Sequence, residues 1–579
     1  MTEHKVFIYT AFGGRYGSGH LMRSLMLAKH LKSEGYDAIF LAEPNTPLST
    51  EIERRHGKTY SRSILASTSA AAIICDRREL PEADIRSLRR TAPVIIMDSN
   101  GSETRIADIV IDQLPSRSKK AVNVRPFTCT VLSSAERTPK VRGKVEHIFV
   151  YAGAIRAFAE AVAKAASRFP SIRFTIVLGT DSNIPIPPNV TMSPVKEKYL
   201  STLSRFDAVI TYFGLTAFES ALAGLPVMLL SPTNYHATLA AECGAMFYDI
   251  GSMRSGSEAI SGRMFYLINK PAARKALIAE AKKSIVPERS MEHITRIIRG
   301  TAALVHPRCT ACGAALTHIA ARSENSNLYR CTACGSLTRK YFLPLAMKYE
   351  DDYFTTDYRA QYGRTYEDDF PAIRLLARRR LAIMKKLRPT GSLLDLGCAL
   401  GFFLYEAREE GYDVSGIETS AYAASYAKKK FSIDVHTGGV ERFSASRTYD
   451  VITAWYFLEH IDGIESMLSS VHRMLSPSGI FAFGMPNAAG ISARMDRSYA
   501  ARVPVDHRNE FTPNGMDMLM RKAGFVREHV AATGMHWPRA AGLLKLGMLS
   551  KNDRLASMYR TVAERFSLGD TFEGYYRKR

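Results

Sequence analysis

The sequence predicts an α/β chain with three parallel-sheet lobes of Rossmann type and a small cysteine-rich module between the second and the third. Three observations carry that reading. Short aliphatic runs such as Val6–Tyr9, Ala71–Cys75 and Leu393–Leu396 are apolar throughout and end in polar or glycine positions, the pattern of strands buried on both faces. Glycine-containing loops follow several of these runs and open segments of helical periodicity. At 579 residues and 46% hydrophobic content, the chain is also too long for one core.

In the first lobe, Val6–Tyr9 leads through a glycine loop into a helix marked by Leu21, Leu25, Leu27, Ala28 and Leu31, which stops at Gly35. Such a loop lets backbone N–H groups and the helix start approach an anionic ligand. Runs ending at Asp76 and Asp98 continue the rhythm. A second lobe opens at His147–Tyr151 and reaches Ala208–Thr211, followed by Gly214 and a helix expected near Thr216, with Glu219 one turn in. Open α/β sheets bind ligands at the carboxyl ends of their strands, so both loops are candidate diphosphate sites.

Cys309/Cys312 and Cys331/Cys334 form two C-x-x-C-G elements with 18 residues, 313–330, between them. That spacing predicts a zinc ribbon in which four thiolates close a structural site with no open coordination position. Cys75, Cys129, Cys243 and Cys398 are scattered, which fits a reducing cytoplasm. The N-terminus has no basic region followed by a long apolar run, and no segment offers about 20 uninterrupted apolar residues. Neither secretion nor a membrane span is expected. The net charge of +22 attracts polyanions, but its basic residues are spread along the chain, which favours nucleotide phosphates over nucleic acid.

In the third lobe, Leu393–Leu396 runs into the loop Gly397–Gly401, a helix, and a second strand ending at Glu418. That carboxylate, 21 residues beyond Gly397, stands where both hydroxyls of a ribose can donate to it. The expected partition is 1–140 and 141–300 for the two lobes, 305–340 for the ribbon, 341–388 for a helical lead-in, 389–535 for the third lobe and 536–579 for a helical extension.

The motif GSGHLMRSLMLAKHL, with GLTAFESALAGLP and Pro232-Thr-Asn234, resembles nucleotide-sugar hydrolases of pseudaminic-acid and spore-coat polysaccharide synthesis, relatives of the glycosyltransferase B fold. The resemblance implies that His20 is a base activating water, and that Gly17, Gly19, Gly214, Thr216, Glu219 and Asn234 hold the nucleotide sugar. Tyr151-Ala-Gly153-Ala-Ile-Arg156 and Tyr235 depart from the family pattern. Hydrolysis, glycosyl transfer and simple binding therefore stay open, and His20 has a structural alternative as a cap or core histidine.

Asp395-Leu-Gly397-Cys-Ala-Leu-Gly401 resembles motif I of class I methyltransferases that use S-adenosylmethionine. Tyr449–His460, which ends in a Glu459-His460 pair, and Met474–Gly479 extend the likeness over about 340–535. It implies S-adenosylmethionine as cofactor, with Asp395, Gly397, Gly401, Glu418 and Val440 around it. His507, in VDHRNEFTP, is the candidate acceptor-side base, against the alternative of a hydrogen-bonded loop histidine. The ribbon, the YEDDYF run and this loop resemble bacterial methyltransferases acting on sugars. The combined expectation is a two-part processor of nucleotide sugars for surface glycans, with RNA methylation a weaker alternative.

Overall fold

The computed structural model describes every residue except 1–4, 14–18, 78, 100, 115–120, 126–130, 133–142, 180–183, 195–198, 286, 346–353, 355, 357, 444, 446, 548 and 550–551. The chain forms two compact units, Met1–Val305 and His306–Arg579.

The first unit holds two parallel sheets. Strands β1 (Lys5–Thr10), β2 (Asp37–Phe40), β3 (Ala72–Asp76), β4 (Val94–Met97) and β5 (Ile109–Ile111) lie in the order β2-β1-β3-β4-β5. Strands β6 (His147–Gly153), β7 (Arg173–Leu178), β8 (Val190–Pro194), β9 (Ala208–Thr211), β10 (Val227–Ser231) and β11 (Tyr248–Ser252) lie in the order β11-β10-β9-β6-β7-β8. The inner strands β3, β4, β9 and β10 are largely aliphatic and buried at every position, as strands covered on both faces are. The helix Pro287–Gly300 returns from the second lobe to the first. There Arg299 pairs with Glu34 at 2.8 Å, and Thr301 Oγ1 donates to Ala71 O at 2.8 Å.

The second unit combines an antiparallel and a mostly parallel sheet. Strands β12 (His318–Arg322), β13 (Ser326–Arg330) and β14 (Leu337–Tyr341) follow the cysteine pairs. Strands β15 (Gly391–Leu396), β16 (Tyr412–Glu418), β17 (Val435–Thr437), β18 (Tyr449–Trp455) and β19 (Leu475–Pro486) are parallel neighbours. Next come β20 (Asn509–Glu510), β21 (Phe525–Thr533) and β22 (Thr571–Lys578). The large sheet runs β17-β16-β15-β18-β19-β22-β21, and β22 is antiparallel to both neighbours.

Two expectations change here. The segment 536–579 contains the helices Trp537–Leu543 and Asp553–Arg565, but it ends in β22, an interior strand of the sheet. Phe572, Tyr575 and Tyr576 are buried there, so the third lobe closes only with the last residues of the chain. The ribbon is likewise continuous with that lobe: β14 pairs with β20, and Cys309, Leu316, Tyr329 and Cys331 share one core with Leu394, Ile452 and Phe511. A module this small buries too little apolar surface to stand alone.

Candidate functional site

In the second unit the loop after β15 is built for close approach. Gly397 and Gly401 have φ of 70° and 80°, in the left-handed region, and Ala399 joins them at 48°. A Cβ on Gly397 would stand 2.6 Å from the Phe457 ring, and one on Gly401 would stand 2.9 Å from Ala427 Cβ. Gly401 caps the helix Phe402–Glu409, whose first N–H groups face the loop. The Glu418 carboxylate accepts from Ala399 N at 2.9 Å and Ser420 N at 3.0 Å, locking the end of β16 onto the loop. Backbone amides thus occupy part of the carboxylate that the ribose reading requires, leaving its other lone pairs for a ligand.

Asp395 lies beneath the loop and accepts from Thr453 Oγ1 at 2.6 Å. Burial pushes its carboxyl up to about 7, against the opposing pull of Thr453 and the Arg380 charge. Arg380 in turn stands over the Trp455 ring at 4.0 Å and pairs with Glu573 of β22 at 2.9 Å. Val440 begins a 3₁₀ turn, Val440–Arg442, beyond β17. Asp395, Gly397, Gly401 and Glu418 therefore gather at the carboxyl ends of β15 and β16, with Val440 on the neighbouring connection.

Beside them the turn after β18 brings Tyr456, at φ 53°, then Glu459 and His460. Ligand atoms of Glu459, His460 and His507 lie within 4.8 Å of one another. His507 Nδ1 is 3.0 Å from Glu510 Oε1, and an ionised carboxylate only accepts, so Nδ1 carries the proton and Nε2 the lone pair. His460 Nδ1 pairs with Asp506 Oδ2 at 3.0 Å, and the two imidazoles meet edge to face with centroids 4.8 Å apart. Burial pushes Glu459 up to about 7 despite the neighbouring His460, and its Oε2 has no hydrogen-bond partner. Three groups that can take or give a proton thus converge next to the glycine loop, and the same donor set could hold a divalent cation. His507 could be read from the sequence. Its approach to Glu459 could not, because the loop before β20 and the 3₁₀ turn meet only in three dimensions.

The four cysteines also converge, with all four Sγ atoms within 4.8 Å of one another. Cys309 and Cys334 are 3.6 Å apart, as are Cys312 and Cys331. Tetrahedral Zn–S bonds require an S–S edge of about 3.8 Å, so the residues fit that ion. The two knuckles are built alike. Gly313 and Gly335, at φ 75° and 77°, donate to Cys309 O and Cys331 O, both at 2.9 Å.

In the first unit, His20 lies in the first turn of the helix Gly19–Ser33, and Gly17 is outside the described residues. His20 Nδ1 is 2.7 Å from Asp76 Oδ1 at the end of β3 and 3.1 Å from Arg23 Nη2. Arg23 is buried between Asp76 and Asp98 and bonded to both. Burial alone would raise Asp76, but the Arg23 charge and hydrogen bonds outweigh it, with His20 adding to them, and hold Asp76 at about 2. A Cβ on Gly19 would be 3.8 Å from Leu215 Cδ1, so this helix start faces the helix Leu215–Leu222 of the second lobe. Gly214 caps that helix, with Thr216 and Glu219 buried in it, whereas Asn234 is exposed at the start of the helix Asn234–Glu242. His20 is a buried, carboxylate-held imidazole, an arrangement compatible with both the water-activating base and the core-histidine reading. Arg23 and Asp98 complete a cluster that sequence marks only as a motif arginine and a polar strand end.

Residues 367–530 match the family described as methyltransferase domain. The second unit contains a class I methyltransferase domain that uses S-adenosylmethionine. This domain is 27% identical over 169 residues to a ubiquinone biosynthesis O-methyltransferase of Nitrosococcus oceani, a match covering 27% of this chain and 71% of that one. It is 22% identical over 151 residues to a malonyl-[acyl-carrier protein] O-methyltransferase of Pectobacterium atrosepticum, covering 26% and 59%. Among solved structures, a methyltransferase from Archaeoglobus fulgidus is similar at 17% identity and a TM-score of 0.28, covering 37% of this chain and 98% of that one. MurG of Acinetobacter baumannii is similar at 15% identity and a TM-score of 0.40, covering 51% and 99%. Among the described residues no helix is long and apolar enough to cross a membrane.

Proposed function

We propose that the second unit methylates a hydroxyl of a sugar or nucleotide-linked sugar, and that the first unit binds the nucleotide sugar and hydrolyses it. The observation that carries the methyl-transfer reading is the convergence of Glu459, His460 and His507 beside the loop that Glu418 locks. S-adenosylmethionine, when bound, would supply an electrophilic methyl for the acceptor oxygen. The chain's own task is to align the acceptor, exclude water and remove a proton. Gly397, Ala399 and Gly401 would present backbone to the cofactor's amino-acid part, Glu418 would hold its ribose and Val440 would lie near its adenine. His507 Nε2 takes the acceptor proton, while Glu510 on Nδ1 holds the ring and stabilises the imidazolium that results. The relatives named for O-methylation support oxygen as the acceptor atom. A zinc ion in the four-thiolate site has a structural role, since no coordination position stays open.

In the first unit, the buried pairing of His20 with Asp76 favours general-base catalysis over simple binding, because a carboxylate-held imidazole can take a proton from water. Purified protein incubated with labelled S-adenosylmethionine and a panel of UDP-, GDP-, CDP- and dTDP-sugars tests both halves by mass spectrometry. The expected products are a methylated sugar and free nucleotide, with nucleotide release lost in His20→Ala. Methyl incorporation into RNA alone, or nucleotide release unchanged in His20→Ala, would refute the corresponding half.

A further inference from the structure

We infer that the four-cysteine module is the positioning element of the methyl-transfer site and that Arg339 is the residue through which it acts. This rests on the reading of His507 as an acceptor-side group. Arg339 projects from β14, is buried, and directs its Nε and Nη2 to the backbone of one loop. Its Nε donates to His507 O at 3.0 Å, its Nη2 to Pro504 O at 3.0 Å and Val503 O at 3.2 Å, and its Nη1 to Ser326 Oγ at 3.3 Å. Its backbone N–H donates to Arg508 O at 2.8 Å. One residue therefore fixes the carbonyls of Val503, Pro504, His507 and Arg508.

The described ion pairs give Arg339 no carboxylate partner. A buried cation is costly unless its donors are satisfied, and here they are satisfied by carbonyls whose positions set the shape of the loop. Neighbouring contacts extend the grip. Leu337 and Thr338 pair with Glu510 and Asn509, Thr512 Oγ1 donates to Cys334 O at 2.9 Å, and Thr512 N donates to Ser336 Oγ at 3.2 Å. The far side of the loop touches the chemistry directly, because Arg508 N donates to Glu459 O at 2.7 Å. A continuous run of bonds thus leads from the second cysteine knuckle through β14 and the loop to Glu459, and the loop carries His507 on the way. The knuckle geometry needs its ion to hold four like-charged thiolates together, so the shape of the loop depends on metal bound outside it.

Hydrogen exchange read by mass spectrometry on the full-length chain tests this without knowledge of the acceptor. Three comparisons are needed: Arg339→Ala, Arg339→Lys, and wild type stripped by a chelator and then restored with Zn²⁺. Exchange across 503–512 should rise about ten-fold or more on stripping and in Arg339→Ala. It should recover with Zn²⁺ and stay intermediate in Arg339→Lys, which offers a single point charge where the fork serves three carbonyls. Exchange across 391–418, and the affinity for S-adenosylhomocysteine by calorimetry, should stay within about two-fold, because the cofactor loop is anchored through Glu418 instead.

The ¹³Cε1 resonance of His507 should shift when the loop loosens, which simple loss of core packing elsewhere would not produce. The inference is overturned if exchange across 503–512 is unchanged by both stripping and Arg339→Ala, or if 391–418 loosens equally. His507→Asn separates the two claims. Methyl transfer persisting in that variant removes the acceptor-side reading, while the exchange result still decides whether the cysteine module governs the loop.

Discussion

Two glycines at the ends of one helix make a matched pair for testing how the cofactor loop works. Gly401 precedes the helix Phe402–Glu409 and Gly411 follows it, at φ 80° and 93°, so an alanine at either adopts a left-handed backbone at a cost of about 1–2 kcal/mol. The surroundings differ. A Cβ at Gly411 meets nothing within 4 Å, whereas one at Gly401 meets Ala427 Cβ at 2.9 Å and Ala427 Cα at 3.6 Å. Relieving that contact requires the helix Ala421–Phe431 to move, and overpacking of this kind costs about 1–3 kcal/mol more.

Both tryptophans, Trp455 and Trp537, lie in the second unit, so urea unfolding followed by tryptophan fluorescence reports that unit alone. Gly411→Ala should lose about 1–2 kcal/mol and keep its affinity for S-adenosylhomocysteine. Gly401→Ala should lose about 2–5 kcal/mol, and it should bind at least about ten-fold more weakly because the displaced helix begins just beyond Glu418. Equal stability losses with equal affinities would refute the claim that close packing of the loop, and not merely its left-handed backbone, shapes the site.

Three further outcomes follow from the geometry. A chain ending at Asp570 lacks β22 and leaves β19 and β21 without their shared partner, so it should bind no S-adenosylhomocysteine and show no cooperative fluorescence transition; retained binding would contradict the sheet order. Replacing His507 with Ala should cut methyl transfer by about 10²–10⁴-fold with cofactor affinity intact, as measured by initial rates and calorimetry. Asp76, held at about 2 against an ordinary 3.8, contributes about 2 kcal/mol that is fully present above pH 3.8 and lost as pH falls through 2. Circular dichroism between pH 5 and pH 2 should therefore show acid sensitivity that is shallower in Asp76→Asn.

What the sequence disclosed and what it hid divide along a physical line. Features written in contiguous residues were legible: the aliphatic run before Gly397, the glycines at 397 and 401, the carboxylate at the next strand end, and two C-x-x-C-G knuckles whose spacing fixes their chemistry. Each depends on local backbone demands or a short ligand spacing. Hidden features depend on which segments meet. Helical periodicity in Asp553–Arg565 dominates the C-terminal region, and nothing local in Thr571–Lys578 says that it inserts between β19 and β21. A two-residue strand such as β20 has no periodicity to detect, yet it joins the cysteine module to the lobe.

The same division explains the sites. Asp76 could be seen only as a polar strand end, because its partnership with His20 follows from β3 lying beside β1. His507 could be named from its segment, and its Glu510 partner lies only three residues on, whereas Glu459 and Arg339 meet that segment only when the ribbon sheet and the turn after β18 close on the same loop. A buried arginine bonded to three carbonyls of one segment has no sequence signature, since its partners are backbone atoms that every residue possesses. Candidate site residues in this chain are therefore nameable from motif and spacing, while the distant residues packed around them are readable only from topology.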